Sequence, residues 1–498
     1  MRDCYLPSGR MVIMNLAHSA TDAQLPNEAS AIWESVLKYA PTYLDKNRAY
    51  SHQPGFQCAV GVNGELIGAF SGGYAHLGAK TRLKNDHLFR VASHSKTFTA
   101  TAIMLLREDG LLNLEDQVGQ LLPELSNSDI ARVNVRELLS HSGGIIRDSE
   151  NADFWALGRP FPKDKELLEI AGHAKILEPN EHFKYTNIGY GILGLIIETS
   201  SGQSFEQFIT ERIIDPLGLA NTGTDIDANT SNLAAGYGPL VHAGSDYALA
   251  ARAEITHINT GALAAATGIY STATDLVTYF GSHLMGSEPS VLTDDSKRLM
   301  QQRAEESGAP GRSYGLGFIL QKIQGRETFG HSGGYPGHIT RTWAVPQTSV
   351  VLSMLTNAVD GQATSWGESL FALAALAEQS TPDSYTGITQ EALERFTGRF
   401  AALWGVQDVV LLGGKLFQID PTSAVDAKNT VPLEFVDENT LKSVDPNGFG
   451  GYGEKVHFEF DDSGASAFRG PGGMRFVREK DFALPALVQP ATDDETNT

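Results

Sequence analysis

Apolar and polar positions follow two different periods in the first part of the chain. The pattern over residues 56–70 predicts a β-hairpin, because Asn63-Gly64 suits the two positive-φ positions of a type I′ turn. The apolar run 88–92 predicts a strand. Residues 96–108 have the spacing of an amphipathic helix, which we expect to end at the capping signal Asp109-Gly110.

Helical and strand-like segments continue along the chain as far as residue 378. The patterns predict helices over 30–39, 190–200 and 364–378 and strands over 340–345 and 349–355. This order of hairpin, helices and then a strand pair permits a single sheet flanked by helices, but the order alone does not specify it.

The pattern changes near residues 380–384, after which short strands alternate with glycine-containing turns. The predicted strands are 409–412, 415–419, 456–460 and 474–477. Evenly spaced short strands are typical of a small antiparallel barrel. We therefore expect an N-terminal arm (1–28), a main domain (29–383), a barrel domain (384–482) and a disordered tail (483–498).

Composition limits the number of domains and the class of function. The chain has 498 residues, 41% of them hydrophobic, which is enough for two or three domains. Its formal net charge of −21 argues against nucleic-acid binding, which needs a basic surface. Cys4 and Cys58 are its two cysteines, and we expect no structural disulfide between a tail and a strand. We find no metal-ligand spacing and expect no cofactor.

No apolar run approaches the length that crosses a membrane. Residues 11–17 form a short apolar stretch after Arg10, but Asn15 interrupts it and the preceding residues fit a secretory signal badly. We therefore expect a cytoplasmic protein without a membrane partner, with a periplasmic or secreted location as the alternative.

Ser93-His94-Ser95-Lys96 joins the strand 88–92 to the helix that follows. Residues three apart share a helix face, so the Ser93 hydroxyl and the Lys96 amine can meet. A serine hydroxyl needs an adjacent base, and an amine in a dry pocket can act as one. Ser35-Val36-Leu37-Lys38 has the same spacing, but it lies in the N-terminal helix, before any predicted strand. A solvated helix face is the ordinary explanation for either copy.

Two further motifs follow Ser93 and Lys96 in the chain. Tyr185-Thr186-Asn187 is the only Tyr-x-Asn, and it immediately precedes a predicted helix. His331-Ser332-Gly333-Gly334 opens the late strand pair. The order Ser-x-x-Lys, Tyr-x-Asn and His-x-Gly carries more weight than any one motif, since an isolated tyrosine or histidine is more often structural.

With these motifs, the chain resembles the serine β-lactamase and penicillin-recognising superfamily, in the branch of class C β-lactamases, D-aminopeptidases and esterases. The resemblance covers about residues 30–380 and extends to 138–144, 215–219 and 267–272. It implies an α/β (α+β) fold, in which a β-lactamase/transpeptidase-like antiparallel sheet is flanked by helices. Some relatives carry a lipocalin-like barrel after this domain, which agrees with the predicted C-terminal barrel.

The resemblance implies a role for each motif residue. Ser93 would be the nucleophile, Lys96 its partner base and Tyr185 the group that passes a proton to the leaving group. Asn187 would hold the Lys96 amine and a substrate carbonyl. The oxyanion hole would consist of the backbone N–H groups of Ser93 and Gly334.

The third motif departs from the β-lactamase pattern. His331 and Gly333 stand where β-lactamases carry Lys-Thr-Gly, so the fixed positive charge that helps to hold a β-lactam carboxylate is missing. Strong β-lactamase activity is therefore doubtful, whereas peptidases and esterases of the superfamily use a histidine here. His94 should point about 100° away from Ser93 on a helix, and we expect His338 to be at most part of a pocket wall.

These observations predict a serine hydrolase that forms an acyl-enzyme on amide or ester bonds, with peptides containing D-amino acids as the first expectation. A carboxylesterase or weak β-lactamase is the alternative within enzymes, and a non-catalytic peptide-binding or assembly protein is the alternative outside them. The expected partner is a small peptide or ester substrate, and a homo-oligomer is left open. Specificity should depend on the loops over 151–165 and 240–258, which a single sequence does not decode.

Overall fold

The computed structural model describes residues 25–240, 251–307, 310–379, 387–426, 430–445 and 450–488. These residues form a nine-stranded antiparallel sheet with helices on both faces, followed by a closed eight-stranded barrel. The predicted fold class and the C-terminal barrel are therefore confirmed.

The large sheet combines strands from the two ends of the main domain, and most of the helices lie between them in the sequence. The strands before the barrel are β1 (Gly55–Val62), β2 (Glu65–His76), β3 (Thr81–Arg82), β4 (Phe89–Arg90), β5 (Gly236–Pro239), β6 (Arg252–Ile255), β7 (Tyr270–Ser271), β8 (Glu305–Glu306), β9 (Arg312–Tyr314), β10 (Ile319–Ile323), β11 (Arg326–Tyr335), β12 (His338–Val345) and β13 (Val350–Thr356). The helices are α1 (Leu25–Tyr50), α2 (Ser95–Glu108), α3 (Val118–Leu121), α4 (Val135–Leu139), α5 (Asp164–Gly172), α6 (Asn187–Ser201), α7 (Phe205–Ile209), α8 (Asp215–Leu217), α9 (Ala264–Thr267), α10 (Ala273–Gly281), α11 (Asp294–Met300), α12 (Ala363–Glu378) and α13 (Gln390–Glu394).

The large sheet has the order β3-β2-β1-β13-β12-β11-β10-β9-β8. Its centre joins the N-terminal hairpin to the late strand pair, since β1 pairs with β13 from Phe56–Thr356 to Val62–Val350. All eight residues of β1 are buried, as expected for a strand that is covered on both faces. Helices α1 and α12 cover one face, and the helical region that includes α2 covers the other.

Local turn chemistry is as predicted, but the boundaries of several elements differ. Asn63 and Gly64 have φ values of 55° and 80°, as a type I′ turn requires. The predicted strand over 88–92 is wrong in extent, because only Phe89–Arg90 forms a strand and it pairs with β7 outside the large sheet. Helix α1 is 26 residues long and continues through Pro41. Burial of this helix against the sheet outweighs the local cost of the proline.

The barrel is an up-and-down meander in which each strand pairs with the next and the last closes on the first. Its strands are β14 (Gly398–Ala402), β15 (Gly405–Leu412), β16 (Lys415–Ile419), β17 (Thr430–Asp437), β18 (Thr440–Ser443), β19 (Lys455–Asp461), β20 (Gly464–Arg469) and β21 (Arg475–Arg478). Aromatic rings of Phe400, Phe458 and Phe468 fill part of the interior.

A largely buried ion pair within the barrel contacts Tyr39 of α1. Both oxygens of Asp408 accept hydrogen bonds from the guanidinium of Arg399, at 2.8 and 2.7 Å, and one also accepts from the Tyr39 hydroxyl at 2.7 Å. Val410 and Leu412 of the same strand pack into the core that α1 and α12 share. Alternate residues of β15 therefore serve the barrel interior and the contact with the main domain.

Several predictions fall on parts of the chain outside the described residues. They include most of the N-terminal arm, Cys4, the apolar stretch 11–17, the boundary at residue 383 and residues 489–498 of the tail. The domain boundaries therefore stay predictions, although α1 begins at Leu25, within the range expected for the arm. Within the described ranges, no helix combines the length and apolar character needed to span a bilayer.

Replacing Asp408 by alanine should destabilise the protein, because Arg399 would keep a partly buried charge without its partner. Loss of one partner of a buried pair costs about 3 kcal/mol, and we expect a reduction of this size in the free energy of unfolding measured by urea denaturation. Glu459→Ala is the control, since Glu459 pairs with Arg475 on the exposed barrel surface. Equal losses in the two variants would show that the buried pair has no special role at the contact.

Candidate active site

Ser93 lies in a one-turn 3₁₀ helix, Ala92–His94, immediately before α2. Ala92 has a φ of 50°, in the left-handed region that residues other than glycine seldom adopt. Such strain persists only where the surrounding structure maintains it, and it occurs often at functional sites. Ser93 itself is half-buried, so this residue is partly accessible to solvent.

Two polar groups reach the Ser93 hydroxyl. Lys96 Nζ lies 3.2 Å from Ser93 Oγ, and the Tyr185 hydroxyl donates to the same oxygen at 2.8 Å. The three side chains predicted to act together are therefore in hydrogen-bond contact. The first contact joins residues three apart, from the 3₁₀ turn to the first turn of α2, whereas the second joins residues 92 positions apart.

Lys96 is fully buried, and burial lowers the pKa of its amine well below the ordinary lysine value. Its nitrogen donates to Asn187 Oδ1 at 2.7 Å and to the backbone carbonyl of Ala266 at 2.9 Å. These two partners can only accept, so they use both protons of a neutral amine. The remaining lone pair is then available to Ser93, the arrangement that a general base requires.

Asn187 is the first residue of α6, whose N-cap is Thr186. Its Nδ2 donates to Asp148 Oδ1 at 2.7 Å, and both side chains are largely buried. A carboxylate in its ionised form accepts only, so this bond orients the amide with Oδ1 towards Lys96. The second Nδ2 proton remains for another acceptor.

The ring of His141 packs against the ring of Tyr185, with 4.3 Å between their centroids. His141 Nδ1 accepts from the backbone N–H of Thr186 at 3.1 Å, which ties this ring to the segment that carries Tyr185. Burial raises the pKa of Tyr185 above its ordinary value, so the phenol keeps its proton.

His331 lies on β11 with both ring nitrogens occupied. Nδ1 lies 2.6 Å from the carbonyl oxygen of Ser332, which can only accept, so Nδ1 carries the proton. Nε2 then accepts from the Tyr314 hydroxyl at 2.9 Å. Burial lowers the pKa of His331 well below its ordinary value, so the ring is neutral. To bind a substrate, this ring would have to exchange one of these bonds.

Gly333 and Gly334 bring β11 against the turn that carries Ser93. A Cβ at Gly333 would lie 2.1 Å from the carbonyl oxygen of Val91 and 2.4 Å from Thr340 Oγ1, whereas at Gly334 the nearest side chain is 3.5 Å away. Only glycine therefore permits the approach at position 333.

The register of the sheet gives the direction of the Gly334 N–H. Tyr335 and His338 flank a two-residue turn and form the hydrogen-bonded pair, so the next pair, Gly334–Ile339, is not hydrogen-bonded. The N–H of Gly334 therefore points away from β12. On that side β10 pairs with β11 only as far as Gly330, which leaves an open edge in the described sheet.

Two other histidines near Ser93 have structural contacts. His94 Nδ1 bonds the Val91 carbonyl and Nε2 lies 3.0 Å from Thr342 Oγ1, with burial lowering its pKa to about 3. His338 is buried, and its nitrogens contact the backbone N–H of Arg90 and the carbonyl of Ala234. Neither ring reaches the Ser93 hydroxyl.

Sequence reasoning missed three side chains that support the site: Asp148, His141 and Tyr314. Asp148 lies 39 residues from its partner Asn187 and belongs to no motif. His141 lies in the segment 138–144, to which the resemblance extends without a role for this side chain. In the part of the chain that the structure describes, no cluster of histidine, cysteine and acidic side chains has the form of a metal site.

An antiparallel sheet with helices on both faces is the architecture of the β-lactamase type of serine hydrolase. A family model described as Beta-lactamase matches residues 43–374, more than half of the chain, and the chain belongs to that family.

Known relatives agree with this assignment. The chain is 29% identical over 342 residues to penicillin-binding protein 4 of Amycolatopsis lactamdurans, a match that covers 66% of this chain and 86% of that protein. An octameric penicillin-binding protein homologue from Pyrococcus abyssi has a TM-score of 0.60 at 22% identity and covers 89% of this chain and 99% of its own. D-amino acid amidase from Ochrobactrum anthropi SV3, solved with L-phenylalanine amide, has a TM-score of 0.60 at 23% identity and covers 69% and 100%. At these identities, the two structures show a shared fold.

Replacing Gly333 by alanine should reduce hydrolysis on the order of 100-fold, because β11 must move away from the turn that carries Ser93. The measurement is kcat/KM on an activated ester. Gly172→Ala is the control, since no atom lies within 4 Å of a Cβ at that position. Wild-type activity in Gly333→Ala would mean that this close approach does not affect the site.

Proposed function

We propose that this chain hydrolyses amide bonds of peptides or amides that contain D-amino acids, through an acyl-enzyme on Ser93. The observation that carries the proposal is that Ser93 Oγ lies between the amine of the buried Lys96 and the hydroxyl of Tyr185. A solvated lysine on a helix face would have neither the burial nor two obligatory acceptors.

In the first step, Ser93 Oγ attacks the substrate carbonyl carbon while its proton passes to Lys96. The oxyanion lies between the backbone N–H groups of Ser93 and Gly334. As the C–N bond breaks, Tyr185 gives its proton to the leaving nitrogen, and the proton on Lys96 returns to the tyrosine oxygen. An ester on Ser93 and a neutral amine result.

In the second step, a water molecule attacks the ester carbonyl and transfers its proton to the Lys96–Tyr185 pair. The same pair returns a proton to Ser93 Oγ as the carboxylic acid leaves. Lys96 and Tyr185 titrate as a coupled pair, so the role of base belongs to both.

The neutral state of His331 supports substrates that place no carboxylate beside this ring. A β-lactam would meet no fixed positive charge there, whereas a neutral amide or ester needs none. The fold shared with a D-amino acid amidase supports amides of D-amino acids as the first choice. A carboxylesterase and a weak β-lactamase differ from this proposal in the substrate that reacts.

Intact mass after exposure to a D-alanyl amide, an activated ester and a penicillin tests the proposal. We expect turnover or an adduct in the wild type, with the D-alanyl amide preferred, and neither in Ser93→Ala. Lys96→Ala should lower kcat by about 10²–10⁴-fold. Ser35→Ala and Lys38→Ala are matched controls, because they change the second Ser-x-x-Lys on α1, where Lys38 is exposed.

Each other outcome has a defined meaning. Preference for the ester or the penicillin would replace the D-amide proposal while retaining Ser93 as the nucleophile. Turnover in Ser93→Ala above about a tenth of wild type would remove Ser93 from the mechanism. Absence of reaction with all three reagents would favour a peptide-binding or assembly protein.

The pH dependence of kcat/KM should reflect the buried amine. Only neutral Lys96 can accept the Ser93 proton, so activity falls as the pH drops through the pKa of Lys96. Because burial lowers this pKa, we expect the acidic limb to lie far below the ordinary lysine value. A limb centred near 10.4, the ordinary value, would show that Lys96 is solvated and would contradict the proposed base.

A further inference from the structure

Asp148 lies behind the predicted site and has no role in the steps above. Its Oδ1 accepts from Asn187 Nδ2 and from the Trp155 indole N–H, each at 2.7 Å. Its Oδ2 lies 3.3 Å from Arg147 Nε. The Asp148 carboxylate is nearly buried, whereas the Arg147 side chain is 68% exposed.

These contacts form a continuous line from the Trp155 ring to the buried amine of Lys96. The Trp155 ring contacts Phe161 and Tyr335, and its indole N–H meets Asp148. Asp148 meets the amide nitrogen of Asn187, whose oxygen accepts from Lys96. Trp155 belongs to the loop 151–165, so the line joins a loop expected to set specificity to the amine beside Ser93.

The chemistry of an amide explains why a carboxylate is needed at this point. The oxygen and nitrogen of an asparagine amide differ little in shape, so its hydrogen-bond partners determine its orientation. If the Asn187 amide were rotated by half a turn, its N–H groups would face the donors of Lys96. Asp148 prevents this, because an ionised carboxylate can meet only the nitrogen.

We propose that Asp148 is a positioning residue, which orients the amide of Asn187 and thereby holds the Lys96 amine against Ser93. This inference rests on the proposed function, in which Lys96 takes the proton of Ser93. Asp148 itself touches neither Ser93 nor the expected position of the substrate carbonyl.

If Asp148 had only a structural role, it would stabilise the loop without affecting the pKa of the Lys96 amine. The effect of its charge on that pKa therefore distinguishes a positioning role from a purely structural one. The groups around Lys96 are Ser93, Tyr185, Asn187, Tyr190 and the carbonyl of Ala266, with the neutral rings of His141 and His331 nearby. The charged neighbours are Asp148, which raises the pKa of Lys96, and Arg147, which lowers it.

Two variants that each remove one charge should therefore shift the acidic limb of kcat/KM in opposite directions. In Asp148→Asn the amide oxygen can still accept from Asn187 and Trp155, but the charge is lost, so the limb should move to lower pH on the order of one unit. In Arg147→Gln the limb should move to higher pH, by less, because the guanidinium is exposed.

A third variant measures the geometric contribution. Asp148→Ala removes the acceptor as well as the charge, and we expect a loss in kcat on the order of 100-fold from the misplaced amine. Trp155→Phe is the control, since it keeps an aromatic ring at this position and removes the indole N–H. Its kcat should fall far less, because Asp148 would still orient Asn187.

The position of the acidic limb in Asp148→Asn decides the proposal. A limb that stays where it is in wild type overturns it, whatever the loss of melting temperature, because a structural role alone would lower stability without moving the limb. If Asp148→Ala does not fold, Asp148→Asn and Arg147→Gln carry the test.

Labelling of Ser93 by a fluorophosphonate probe separates this inference from the proposed function. If the wild type is not labelled at Ser93, the nucleophile assignment fails and with it the basis for a positioning residue. If Ser93 is labelled at a rate with the same pH dependence in wild type and Asp148→Asn, the nucleophile stands and the role of Asp148 is wrong.

Discussion

Burial of one amine is the constraint on which the site depends. Lys96 sits in the first turn of α2 without solvent exposure, and an ammonium there would lose its hydration. The surroundings supply two groups that can only accept, Asn187 Oδ1 and the carbonyl of Ala266. They also supply the Ser93 hydroxyl, which can donate. A buried group so arranged favours its neutral form, and neutrality gives the lone pair that serine chemistry requires.

Three distant parts of the chain must meet to keep this amine dry. The N-terminus of α6 brings Asn187, α9 brings the Ala266 carbonyl, and β11 closes over the turn that carries Ser93. The last approach depends on Gly333, where a side chain would collide with the Val91 carbonyl. The sheet therefore positions the chemistry by allowing backbone to pack directly on backbone.

The sequence could predict what depends on local spacing. Ser93 and Lys96 are three residues apart and in contact, and Asn63-Gly64 determines its own turn. It could not predict what depends on tertiary packing. Helix α1 continues through Pro41 because the half that follows the proline is buried against the sheet. From the sequence alone, that proline predicts the end of a helix. Asp148 and Tyr314 contact residues far away in the chain, so no periodicity or motif marks them.

The second Ser-x-x-Lys shows why spacing alone does not make a base. Ser35 and Lys38 lie on α1 with the same separation as Ser93 and Lys96, and the Ser35 hydroxyl accepts from the backbone N–H of Gly413 in the barrel. Lys38 is exposed to water, whereas Lys96 is fully buried. The two copies differ in solvation and in partners, and only the surroundings of Lys96 favour a neutral amine beside a serine. In this protein the motif spacing brings the serine and the lysine within reach of each other, and the packing around Lys96 favours the neutral amine.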